Sequence, residues 1–124
     1  MKIVNTTKGT MIAHHTEKAE GFWKKAKGLM FRKRLENGKA LLMIFRNEST
    51  RGIWMPFMRF PIDVIFADSS RKVVSLHSGV QPMTGNPKTW KIYKSPIPAK
   101  YIIEVNAGTI KKSRTEAGDR LDFL

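Results

Sequence analysis

The chain has 124 residues, with 23 Lys and Arg against 10 Asp and Glu (formal charge +13), 41% hydrophobic and 10% aromatic residues, and no cysteine. That length sets one domain over residues 1–124 with a core that needs neither disulfides nor a structural metal. The composition excludes a disordered chain, thiol catalysis and Cys-based zinc or iron–sulfur sites, and no apolar run approaches the roughly 20 residues of a membrane helix, so no membrane partner is expected.

Taken in chain order, short alternating runs separated by Gly, Pro, Asn and Ser predict an all-β domain. The first strands are Lys2 to Asn5 and Met11 to His15, joined by a Thr7-Lys8-Gly9 turn. This opening segment lacks the continuous apolar centre of a secretory signal, and a cytoplasmic location is the expectation. From Thr16 to Leu29 the acids Glu17 and Glu20 precede Lys24, Lys25 and Lys27, the order a helix dipole favours, so a helix ended by Gly28 is predicted. Strands follow at Ala40 to Phe45, Gly52 to Met55, Ile62 to Asp68 and Lys72 to His77, the last two joined by an Asp68–Arg71 hairpin turn. Gly79 to Lys100, with four prolines, reads as a long irregular connection, a class that is functional or mobile. A strand at Tyr101 to Ala107, a short helix within Gly108 to Arg114, and a strand at Arg120 to Phe123 complete the chain.

Two of the few acids fall inside strands. On the strand from Ile62, Asp63 shares its face with Ile65 and Ala67, and Glu104 lies among the apolar residues of Tyr101 to Ala107. A carboxylate so placed must be paired or hydrogen-bonded, or it neutralises. Arg59 or Arg51 is the expected partner of Asp63, while an acid–base site is the functional alternative. No metal site is expected, since the adjacent His14 and His15 point to opposite faces of a strand and His77 is isolated. GNPKT at Gly85 to Thr89 lacks the glycine spacing of a phosphate loop, and the scattered methionines read as core filler. Lys24, Lys25, Lys27, Arg32, Lys33 and Arg34, interleaved with Phe22, Trp23 and Phe31, form a basic face, either merely solvated or a weak, salt-sensitive nucleic-acid footprint.

Five ordered blocks resemble the DUF192 family: GLMFRKRL at Gly28 to Leu35, LLMIF at Leu41 to Phe45, WMPFMRFPIDVIFAD from Trp54, YIIEVNAG at Tyr101 to Gly108, and the tail AGDRLDF. The resemblance implies a single antiparallel β-barrel or jelly-roll-like sandwich with one or two short helices, and no settled activity. Where the family often has Asn-Thr after the Trp-Met pair, this chain has Phe57-Met58 behind Pro56. Arg32, Trp54, Asp63, Glu104 and Asp119 belong to the matching blocks and are expected to cluster on one side of the sheet, as candidate contacts for a small molecule or anion at the barrel mouth. No cofactor is expected. The alternatives are a basic accessory protein holding nucleic acid through Lys24 to Arg34, and an enzyme using Asp63 and Glu104 as acid and base.

Overall fold

A computed structural model describes residues 1–21, 25, 27–53 and 55–124. Among the described residues eight strands are formed: β1 (Ile3–Asn5), β2 (Thr10–Ala13), β3 (His15–Ala19), β4 (Lys39–Ile53), β5 (Ile62–Ala67), β6 (Val73–Val80), β7 (Tyr93–Asn106) and β8 (Leu121–Phe123). Helix α1 (Thr109–Ser113) and a 3-10 turn at Pro87–Thr89 accompany them among the described residues. The domain is all-β as the alternation predicts. The strands make two open sheets, β2-β1-β8 and β3-β4-β7-β5-β6, and not a closed barrel.

Period-two alternation positions everything that follows. In β7, Tyr101, Ile103 and Val105 point to one face of the five-stranded sheet, and Ile102 and Glu104 to the other. In β5, Ile65 and Ala67 join the first face while Ile62, Val64 and Phe66 join the second. The first face packs against Ile3, Ile12, Ala13 and Leu121 of the small sheet and against Ile110 of α1. The second face is covered by Leu29, Leu35, Met55 and Met58 from the segments between strands. With both faces covered, all six residues of β5 are buried, and polar groups in this sheet must find partners in the interior.

Three sequence expectations are corrected. The helix over Thr16 to Leu29 begins instead as strand β3, parallel to β4 with Glu17 opposite Leu41, because backbone pairing with β4 outweighs a favourable order of charges. Among the described residues of this stretch, helical structure is found at Lys25 and Lys27, with the Lys25 N–H donating to the Gly21 carbonyl at 3.0 Å, and Gly28 adopts the left-handed φ of +50° that suits a terminating residue. Ala40 to Phe45 and the Gly52-Ile53 start of the second expected strand are parts of one strand, β4, which ends at Ile53, since the polar run between them still pairs with β7 through two register shifts; Trp54 lies outside the described residues and Met55 outside the strand. Much of Gly79 to Lys100 is also strand: β6 runs on to Val80 and β7 starts at Tyr93. Pro96 and Pro98 lie in β7 where its pairing with β4 is irregular, a place that tolerates missing donors.

Candidate functional site

Among the described residues, a buried carboxyl group short of a hydrogen-bond partner occurs at Glu104. Strand β7 aims it at the second face, between Leu41 of β4 and Val64 of β5. The residue is 3% exposed, and its Oε2 has no hydrogen-bond partner among the described residues. Burial pushes its carboxyl up to about 7, and the Arg32 charge only partly offsets this. A group of that kind is half protonated near neutrality, able to donate or to accept a hydrogen bond.

Glu104 lines a cavity of about 320 Å³. Met43 and Phe45 of β4, Ile102 of β7, Leu29 and Met30 from the turn after the helical residues, and Met55 and Met58 from the corner before β5 make its walls apolar. Lys25 and Lys27 are on the rim. Gly28 is held against the carboxyl: a Cβ there would lie 3.6 Å from each Glu104 oxygen and 3.1 Å from Met43 Cε, in a backbone conformation that itself favours glycine. At the rim, Gly52 leaves room for Ile92, whose Cγ2 would be only 2.8 Å from a Cβ added at that position.

Asp63 and Asp119 separate from this cavity. Asp63 lies on the opposite face, beside Val105, and its partners are not arginines. Oδ1 accepts from the Gly79 N–H at 2.8 Å, and Oδ2 accepts from Gly108 and Ile110 at 3.0 and 2.9 Å. Asp63 thereby supplies the cap that α1 lacks from its own Gly108 N-cap, while Arg51 donates to the Ala99 and Asn47 carbonyls. Asp119 belongs to a third place, joining the ends of the chain: it accepts from Asn5 Nδ2 at 2.9 Å, from Lys8 Nζ at 3.1 Å and from the Glu116 N–H at 2.9 Å. Burial would raise its carboxyl, but these hydrogen bonds and the Lys8 charge together hold it below the usual carboxylate range. The expected single cluster is thus corrected, because alternation puts Asp63 and Glu104 on opposite faces. Trp54 lies outside the described residues.

The basic face is likewise divided. Arg32 makes a bidentate pair with Glu17, both contacts 2.9 Å, which raises its pKa further. Lys25 Nζ sits 4.4 Å over the Phe45 ring and 3.4 Å from the Ile44 carbonyl. Lys27, Lys33 and Arg34 are exposed, and Lys24 lies outside the described residues together with Phe22 and Trp23. A second, wider concavity of about 790 Å³ near His14, Lys39 and Lys112 contains no buried polar side-chain atom lacking a partner among the described residues.

Sequence reasoning missed the methionine walls. Met30, Met43 and the Met55–Met58 pair are far apart along the chain, and the pairing of β4 with β7 and the corner before β5 bring them to one cavity. The legible signal was Met43, two residues from Leu41 and so on its face.

The DUF192 family (Uncharacterized ACR) matches residues 3–123. A UPF0127 protein of Pyrococcus furiosus is 37% identical over 128 residues, covering 98% of this chain and 97% of that one. A UPF0127 protein of Thermococcus gammatolerans is 32% identical over 121 residues, covering 98% of this chain and 74% of that one. A crystal structure from Sinorhizobium meliloti, described provisionally as a transcription regulator, has a TM-score of 0.82 at 26% identity, covering 98% of this chain and 89% of that one. With its fold and nearly its whole length matched, the chain belongs to the DUF192 family.

Proposed function

We propose that the protein is a small-molecule binding module whose site is the Glu104 cavity. The observation that carries this reading is a buried carboxyl oxygen without a partner among the described residues, facing an apolar space. Leaving such a group unsatisfied costs about 1–3 kcal/mol, and a ligand that supplies the missing donor recovers it. A volume of about 320 Å³ is at the small end of ligand sites, and the walls suit an apolar body. The methionines let those walls adapt to shape. The ligand is therefore a compact apolar molecule with one hydrogen-bond-donating end, a hydroxyl or an ammonium group. An anion is disfavoured there, since it would meet Glu104 when that group ionises. Asp63 and Glu104 point away from one another, so an acid–base pair made of these two has no support in the geometry.

Thermal-shift titrations with n-hexylamine and 1-hexanol test the reading, because a ligand that binds only the folded state raises Tm in proportion to its occupancy. Stabilisation is expected from at least one probe, lost in Glu104→Gln and in Met58→Trp, which fills the cavity. For hexylamine it should strengthen from pH 6 to pH 8 as Glu104 ionises. No shift with either probe, or a shift untouched by both variants, would remove the site from this cavity.

A further inference from the structure

Phe31 and Phe57 are 61% and 63% exposed, and they stack on one another with ring centroids 5.0 Å apart and planes 19° from parallel. Both have left-handed backbones, φ of 67° and 58°, a conformation that bulky side chains adopt only at a cost. The Phe31 N–H donates to the Phe57 carbonyl at 2.9 Å, so the two strained residues are locked together. Strain that persists at exposed apolar side chains does not serve the core, and such positions concentrate where a protein engages something else.

The surroundings state what that partner is. Lys27, Lys33, Arg34 and Arg59 are exposed within four residues of one ring or the other, and no acid occurs between Lys27 and Leu35 or between Ser49 and Ile62. We propose that the Phe31–Phe57 pair and its basic surround form a peripheral docking surface for an anionic lipid bilayer, the rings entering below the headgroups and the cations meeting them. Polybasic surfaces beside apolar anchors hold anionic membranes in this way. A nucleic-acid role fits less well: the rings already use one face each on one another, and Arg32, the nearest guanidinium in sequence, is committed to Glu17. No described helix is long and apolar enough to cross a membrane, and a surface contact requires none. Met30 and Met58, the chain neighbours of the two rings, line the Glu104 cavity, so docking would bring the cavity to an apolar phase. The docking itself stands whether or not the cavity holds a ligand.

Co-sedimentation with phosphatidylcholine vesicles, with and without roughly 30% phosphatidylserine, tests the surface at low ionic strength. Partitioning should be at least about tenfold stronger on the anionic vesicles and fall steeply with added salt. Phe31→Asn with Phe57→Asn should reduce it by about tenfold while leaving Tm unchanged or higher, since asparagine tolerates a positive φ. Lys33→Glu with Arg34→Glu keeps the rings and should also release the protein from anionic vesicles. Failure to bind anionic vesicles, equal binding by the ring variant, or loss in that variant of single-stranded oligonucleotide binding with vesicle binding intact would each overturn the proposal.

Discussion

Asp63 and Glu104 are carboxyl groups in neighbouring strands of one sheet, almost equally buried, yet their surroundings differ completely. Asp63 faces the small-sheet side and receives three backbone N–H groups. Glu104 faces the cavity side, and one of its oxygens receives no hydrogen bond from the described residues. Burial alone therefore does not separate the two acids; the number of donors delivered to each does. A group met by donors from Gly79, Gly108 and Ile110 ties β5 to the end of β6 and to the start of α1 and is cement, whereas one left short of donors among the described residues calls for a further donor or a proton.

That contrast can be broken most directly at Asp63. Asp63→Asn retains shape but turns one acceptor into a donor facing N–H groups, and we expect a loss of about 3 kcal/mol in urea unfolding, with α1 losing hydrogen-exchange protection first. An unchanged denaturation midpoint would show that the cap is dispensable. At Glu104 the sign reverses. Its folded pKa, near 7, is above the ordinary value of 4.5, so the folded state binds a proton more tightly. Stability is fully present below pH 4.5 and falls as pH rises through about 7, where the folded state must hold a buried charge. Glu104→Gln should accordingly gain about 2 kcal/mol at pH 8 and nothing at pH 4. A loss at pH 8 would mean that Glu104 has a stabilising partner.

The double variant sharpens the comparison further, since groups on opposite faces should be additive to within about 0.5 kcal/mol, and coupling above about 1 kcal/mol would join them in one network. The smallest change is reserved for Asp119. Its depressed pKa contributes stability that is present above the ordinary value of 3.8 and lost as pH falls through the folded one, so Asp119→Asn should flatten the acid limb of a melting curve below pH 4 while leaving the limb above pH 6 unaltered in shape.

Alternation along β5 and β7 was enough to place Asp63 with Ile65 and Ala67 and to mark Glu104 as an acid within a strand. The partners of Asp63 were not legible, because backbone N–H groups carry no signature in residue type; Gly108 and Ile110 reach it only through the fold of β7 into α1. Glu17 was misassigned to a helix for a related reason: its charge and position suit a helix start, but its use is to pair with Arg32 from strand β3, a contact across 15 residues. The five family-like blocks were read in register, and the cavity they surround was not, since its methionines converge only after β4 and β7 have paired.

The pairing of β1 with β8, Ile3 opposite Phe123 and Asn5 Nδ2 bonded to Asp119 across 114 positions, has a kinetic consequence. Strand β1 waits for β8, and the loop closed between Asn5 and Asp119 spans 114 positions, the kind of contact that slows folding. Until β8 is available the small sheet cannot close over Ala40, Leu42, Ile65 and Ile103, and that face of the larger sheet stays open to water and to other nascent chains. Refolding should accordingly end with one concerted step that orders β1 and β8 together, and the interval before it is when the chain is most exposed to aggregation.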